Sequence, residues 1–73
     1  MESIAIRGEF IKLDALMKFA ALTASGGEAK KVIGDGLVAV NGEVCRMRGK
    51  KLHPGDRVSF CGQEVLIARH EDP

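Results

Sequence analysis

Residues 36–44, with the sequence GLVAVNGEV, indicate how the second half of the chain folds. Four apolar residues at 37–40 run into the pair Asn41-Gly42, and a second short strand-like stretch follows at 43–45. An Asn-Gly pair between two such stretches is the strongest local hairpin signal, because both central residues of a tight turn need a positive φ. The sequence therefore predicts an antiparallel hairpin that turns at Asn41 and Gly42.

The residues after this hairpin predict a second one. Residues 58–60 and 64–68 have the composition of strands, and Cys61-Gly62-Gln63 between them predicts a turn. Before the second hairpin, residues 52–56 contain Pro54-Gly55-Asp56. Because proline fixes φ and a glycine follows it, these residues predict a further turn.

Upstream of Gly36 the spacing of the apolar residues lengthens from two to about 3.6, which is typical of helices. Between residues 10 and 22, apolar side chains recur at positions 10, 13, 16, 17 and 20 and predict one core-facing stripe. Phe10 belongs to this stripe and is expected in the core. Phe19 lies off the stripe and is the one aromatic side chain that is a candidate for an exposed contact.

A second helix is predicted to begin at Ser25. Ser25 and Glu28 have the S-x-x-E spacing of a capping box, in which each side chain bonds a free backbone amide. Gly34-Asp35-Gly36 predicts the end of this helix. With a short strand at residues 3–6, the chain reads strand, two helices and four strands. This order predicts an α+β fold, a two-helix pair packed on a small curved antiparallel sheet of four to five strands.

Length and composition restrict the class of protein. The 73 residues predict one domain, residues 1–73, whose tail at 70–73 is expected to fray. The chain is 45 % hydrophobic and 29 % charged, which is typical of a folded globular protein. No apolar stretch approaches the ~18–20 residues of a membrane span, and the first residues lack the pattern of a secretory signal. We therefore expect a cytoplasmic protein without a membrane partner.

The cysteines and histidines do not predict a catalytic or metal site. Fifteen residues separate Cys45 from Cys61, and neither this pair nor His53 and His70 have the spacing of a zinc site. Both cysteines are expected to be free, partly buried strand residues. No catalytic residue, cofactor or metal is predicted. A thiol or metal enzyme is an alternative that needs both cysteines and a histidine within a few ångströms of one another.

The distribution of charge is the clearest functional signal. The net charge is only +1, but residues 30–58 carry seven Lys or Arg against three Asp or Glu. Four of these cations lie within residues 46–51, which are expected to be extended, with Arg46 and Arg48 on one face and Lys50 continuing it. Such a concentration of like charge indicates a surface that binds a polyanion. The other interpretation is a solvated face without a partner.

Several of these segments together resemble the S4-type RNA-binding domain, also called the αL motif. The family pattern reads R-L-D, S-R-x-x-A-R/K, G-x-V-x-V-N-G and P-G-D, and the match spans about residues 10–60. Gly26 stands where the family has an arginine. Lys12 also replaces an arginine, which turns a bidentate phosphate contact into a point-charge contact. The matching segments are Lys12-Leu13-Asp14, residues 25–30, residues 36–42 and Pro54-Gly55-Asp56.

The resemblance implies that the helix pair and the sheet present a basic surface to structured RNA, as in the small stand-alone bacterial members. We therefore predict a non-catalytic, monomeric protein that contacts the phosphates of ribosomal or transfer RNA, in a ribosome or a ribosome-assembly particle. The alternative is a protein-interaction adaptor whose basic face docks an acidic partner. The predicted RNA-binding residues are expected to converge on one exposed face and are Lys12, Lys30, Lys31, Arg46, Arg48, Lys50 and Lys51.

Overall fold

The computed structural model describes residues 2–70, which form two helices, a five-stranded sheet and a two-stranded sheet. The predicted α+β class is confirmed. In chain order the elements are β1 (Glu2–Ile6), β2 (Ile11–Lys12), α1 (Leu13–Phe19), α2 (Gly26–Gly34), β3 (Val38–Val40), β4 (Glu43–Val44), β5 (Lys51–Leu52), β6 (Arg57–Phe60) and β7 (Gln63–Arg69).

The five-stranded sheet has the strand order β1-β7-β6-β3-β4, and the two-stranded sheet pairs β2 with β5. Neighbouring strands are antiparallel except β1, which runs parallel to β7. The sheet is therefore mixed, where the sequence predicted an antiparallel one. The difference arises because β1 and β7 lie at opposite ends of the chain, so no tight turn imposes an antiparallel direction on them.

Both predicted hairpins are confirmed, with two-residue turns in the left-handed region. Asn41 and Gly42 have φ of 52° and 85°, and Cys61 and Gly62 have φ of 51° and 77°. The second turn is shorter than predicted because its third expected residue is already the first of β7. Cys61 is thus an exposed turn residue and not a partly buried strand residue. Cys45 is half-buried but follows β4 instead of lying within it.

The first helix is shorter than predicted. It begins at Leu13 instead of residue 10, because Ile11 and Lys12 pair with Leu52 and Lys51 as β2 and β5. It ends at Phe19, and Ala21 has a left-handed φ of 58° that no helix can contain. Cross-strand pairing therefore replaced the first turn of the predicted helix, which local spacing alone does not reveal.

The second helix agrees with its prediction. Ser25 is the N-cap, and its Oγ accepts a hydrogen bond from the Glu28 amide at 3.2 Å. Among residues 2–70 this is the one bond of the capping box that forms. Gly36, with φ of 76°, lies just past the helix and lets the chain turn into β3.

The core lies between the helix pair and one face of the five-stranded sheet. Phe10, expected in this core, is instead 38 % exposed, because the residue before β2 lies outside the helix. Phe19 is 62 % exposed, which agrees with its position off the stripe. The buried cluster contains Ile6, Leu13, Leu16, Met17, Ala29, Ile33, Val38, Val40, Leu52, Val58 and Ile67.

The tail at residues 70–73 was predicted to fray, but His70 is held by a backbone hydrogen bond. The His70 amide donates to the Ile6 carbonyl at 2.8 Å, so its backbone is bound and does not fray. Residues 71–73 lie outside the described residues. Within the described part of the chain, neither helix has the length and apolar character needed to cross a membrane.

Candidate nucleic-acid interface

Four of the predicted cations surround the N-terminus of α1. Lys12, the last residue of β2, is directly opposite Lys51 in β5. The first two backbone amides of α1 donate to the carbonyls of Lys50 at 2.9 Å and Arg48 at 3.1 Å. Backbone pairing thus gathers residues from two distant segments at one place. We name these four residues the basic cap: Lys12, Arg48, Lys50 and Lys51.

In α1 the loop before β5 takes the place of a cap by the side chain of the N-cap residue. Lys12 occupies the N-cap position but makes no side-chain hydrogen bond to the helix. The free amides of a first turn need acceptors, and the loop before β5 supplies them. This loop turns at Arg48 and Gly49, where the Lys50 amide donates to the Met47 carbonyl at 3.1 Å. The expectation of an extended segment with alternating faces is therefore wrong.

The residues of the basic cap are brought together by backbone pairing and have no carboxylate partner among residues 2–70. All seven predicted RNA-binding residues are exposed. The ion pairs between side chains of residues 2–70 are His53 with Asp56 and Arg57 with Glu64, and neither includes any of the seven. Like charges directly opposite each other on two strands are destabilising. A bound polyanion would turn this repulsion into attraction.

Arg46 lies at the C-terminal end of α2. Its guanidinium is packed so closely over Gly36 that a Cβ at position 36 would lie 2.7 Å from Nη2. The carbonyl end of a helix carries partial negative charge and favours a cation there. Lys31 lies in the last turn of the same helix, and Lys30 precedes it. The structure therefore places Arg46 and Lys31 at the C-terminal end of α2, and residues 46–48 join this end to the basic cap.

An exposed aromatic ring lies beside the basic cap. The Lys51 Nζ is 4.8 Å from the centroid of the Phe10 ring. The His53 ring lies 6.3 Å from the Phe10 ring, centroid to centroid, at an interplanar angle of 52°. The helical stripe assigned Phe10 to the core and so missed this position. The competing signal was the strand propensity of Phe10 and Ile11, an aromatic and a β-branched residue at the start of β2.

The comparisons with known proteins agree with this fold. The sequence profile of the S4 domain matches residues 4–68. The chain belongs to the S4 domain family. This chain is 41 % identical over 59 residues to the Probable ribosome maturation protein RlbA of Bacillus subtilis (strain 168). The match covers 81 % of this chain and 83 % of that protein.

A solved structure has the same fold as this S4 domain. It is the solution structure of YbcJ from E. coli, described as revealing an αL motif involved in RNA binding. The two chains are 31 % identical and superpose with a TM-score of 0.64, over 92 % of this chain and 84 % of YbcJ. The predicted membership in the αL family is confirmed.

The turn motifs of the S4 domain are bound to each other near the basic cap. Asp56 accepts hydrogen bonds from the His53 amide at 2.8 Å and from Asn41 Nδ2 at 3.0 Å. Asn41 Oδ1 in turn accepts from the Arg57 amide at 2.9 Å. The pKa of Asp56 is lowered, chiefly by the His53 amide, against the opposing effect of burial; Asn41 and the charges of His53 and Lys50 lower it further. These motifs thus hold the turn that follows β5.

Groups that could support other chemistry are sparse in the described part of this S4 domain. Cys45 and Cys61 are both free. Among residues 2–70, no group of three or more His, Cys, Asp or Glu side chains is arranged to hold a metal ion. The basic cap and the end of α2 are therefore the candidate site that the structure offers.

Proposed function

We propose that this S4 domain is a non-catalytic, cytoplasmic RNA-binding protein that grips the phosphates of folded ribosomal RNA during ribosome maturation. The observation that carries the proposal is the direct pairing of Lys12 with Lys51 inside the basic cap, where both are exposed and neither has a carboxylate partner among residues 2–70. A fold that keeps two lysines opposite each other accepts a loss of stability. A bound polyanion would offset this loss by attracting both lysines.

The related proteins support the same ligand. The Bacillus subtilis relative is named as a probable ribosome maturation protein, and the αL motif of YbcJ is described as involved in RNA binding. We assign phosphate contacts first to the basic cap. The two lysines of α2, Lys30 and Lys31, extend the contact surface, and Arg46 adds a positive charge from its fixed place over Gly36.

The salt dependence of binding tests the proposal. The protein is titrated into a fluorescently labelled stem-loop of ribosomal RNA at several KCl concentrations. Neutralising about four to six phosphates predicts a slope of about −3 to −5 for log affinity against log salt. Transfer RNA and polyglutamate serve as competitors. A flat salt response, or displacement by polyglutamate as effective as by RNA, would contradict the proposal, the latter favouring an acidic protein partner.

A matched pair of triple variants tests the location of the site. Lys12→Ala, Lys50→Ala and Lys51→Ala together remove three cations of the basic cap. The control variant removes three exposed cations elsewhere on the fold, Arg7, Lys18 and Arg69. We expect the slope of log affinity against log salt to become less steep by about three in the first variant. Each lost phosphate contact reduces the magnitude of the slope by about one. Equal losses in both variants would show that only net charge matters.

A further inference from the structure

Phe10 is exposed at a place where the fold provides it with charged and aromatic neighbours. An exposed apolar side chain by itself is ordinary. The ring of Phe10, however, has the ammonium of Lys51 at 4.8 Å from its centroid and the His53 ring beside it. Lys51 belongs to the basic cap, so the aromatic surface adjoins the proposed phosphate-binding cations directly.

A nucleotide offers a matching pair of groups. Its base is a flat π surface that stacks on exposed aromatic side chains, and its phosphate forms charge-assisted hydrogen bonds with lysine. An exposed contact between an ammonium and a ring is weak by comparison. A nucleotide can therefore displace Lys51 from the ring and receive it at the phosphate, so that each group gains a stronger partner.

We infer that Phe10 stacks an unpaired nucleobase of the bound RNA while Lys51 moves from the ring to the phosphate of the same nucleotide. This inference rests on the proposed function and specifies its ligand as RNA with an unpaired nucleotide beside a helix. Bases within a helix are stacked on their neighbours and have no free face for Phe10. The basic cap alone holds phosphates of paired and unpaired RNA alike, whereas Phe10 distinguishes the two.

Two RNAs and two matched variants test the inference. One RNA is a fully paired hairpin, and the other is the same hairpin with one unpaired nucleotide in its stem. Phe10→Leu keeps an apolar side chain and removes the ring. We expect it to weaken binding to the RNA with the unpaired nucleotide about tenfold and binding to the paired hairpin less than twofold. Phe19→Leu, at the other exposed phenylalanine, is expected to change neither.

A fluorescence measurement reports the stacking itself. The sequence contains no tryptophan or tyrosine, so Phe10→Trp introduces a single strong fluorophore and retains an aromatic ring. We expect the RNA with the unpaired nucleotide to quench this tryptophan and the paired hairpin to leave it bright. Phe19→Trp provides the control and is expected to keep its fluorescence with both RNAs.

The possible results separate this inference from the proposed function. If Phe10→Leu binds both RNAs as the wild type does, with the salt dependence intact, the stacking role is wrong and the proposed function stands. If it weakens binding to both RNAs equally, Phe10 only positions Lys51 and the stacking role is again overturned. If the wild type shows no salt-dependent binding to either RNA, the proposed function fails and this inference fails with it.

Discussion

The N-termini of α1 and α2 are satisfied by different kinds of partner. α2 is capped by the residue before it, since Ser25 Oγ accepts from the Glu28 amide. In α1 the side chain of the N-cap residue Lys12 accepts no hydrogen bond, and carbonyls about thirty-five residues further along the chain bind the first two amides. The local cap involves no cation, whereas the distant one brings the four residues of the basic cap together. A distant capping segment therefore positions its own side chains as well as the helix.

The largest effect is expected from loosening the distant cap through the core. Leu52 is fully buried and belongs to β5, directly after the capping loop. We expect Leu52→Ala to lower the free energy of unfolding by about 2–5 kcal/mol, because it leaves a cavity. Chemical denaturation measures this loss.

An isoleucine variant separates the distant cap from general stability. Ile67→Ala removes a side chain of the same size, 1 % exposed, from β7, a strand of the other sheet. At a temperature where both variants are folded, we expect Leu52→Ala to bind RNA more weakly than Ile67→Ala. If the two variants bind equally, β5 does not hold the basic cap in place.

The next effect is expected at the other end of α2, where Arg46 covers Gly36. Gly36→Ala places a Cβ in the left-handed region and against the guanidinium, and we expect it to cost about 1–2 kcal/mol. The double variant with Arg46→Ala removes the steric contact but leaves the backbone strain. We therefore expect the Gly36→Ala cost to be smaller in that background. Purely additive costs would show that Arg46 is not held by this contact.

A smaller effect is expected from removing the local cap. Ser25→Ala should lower the free energy of unfolding by about 1 kcal/mol, since the Glu28 amide loses its acceptor. Ser25→Gly is the matched variant and should cost only a few tenths of that. RNA affinity should stay at the wild-type value in both. A loss of affinity in Ser25→Ala comparable with that of the triple basic-cap variant would remove the distinction between the two caps.

The smallest effect is expected in the dependence of stability on pH. The pKa of Asp56 is lower in the folded protein, so its carboxylate stabilises the fold at pH values above the unfolded pKa. This stabilisation is lost as the pH falls through the folded pKa. We expect the free energy of unfolding to decrease from about pH 5 to about pH 2 less in Asp56→Asn than in the wild type. Thermal denaturation at several pH values measures this dependence. If the stability of the wild type and of Asp56→Asn changed equally with pH, this role of Asp56 would be contradicted.

Local features of the sequence predicted the parts of the fold that are determined locally. Asn41-Gly42 and Cys61-Gly62 form tight turns because the backbone conformation of two residues decides them. The start of α2 at Ser25 and its end before Gly36 are likewise decided by the residues at those positions. The identity of these few residues was therefore sufficient to predict the two turns and the ends of α2.

Non-local pairing decided what the sequence did not predict. The start of α1 depends on β5, and the turn at Arg48 depends on the amides of α1. The exposure of Phe10 follows from the same pairing, because it removes this residue from the helix. The sequence therefore identified the cations of the candidate site, while the aromatic ring beside them and the position of Arg46 over Gly36 required the structure.

The parallel pairing of β1 with β7 has a consequence for the order in which the protein folds. The paired residues are separated by about sixty positions, so a large loop must close before they meet. During synthesis, β1 is made before its partner residues, which are residues 65–69 of β7. The five-stranded sheet therefore cannot be completed until nearly the whole fold has been synthesised.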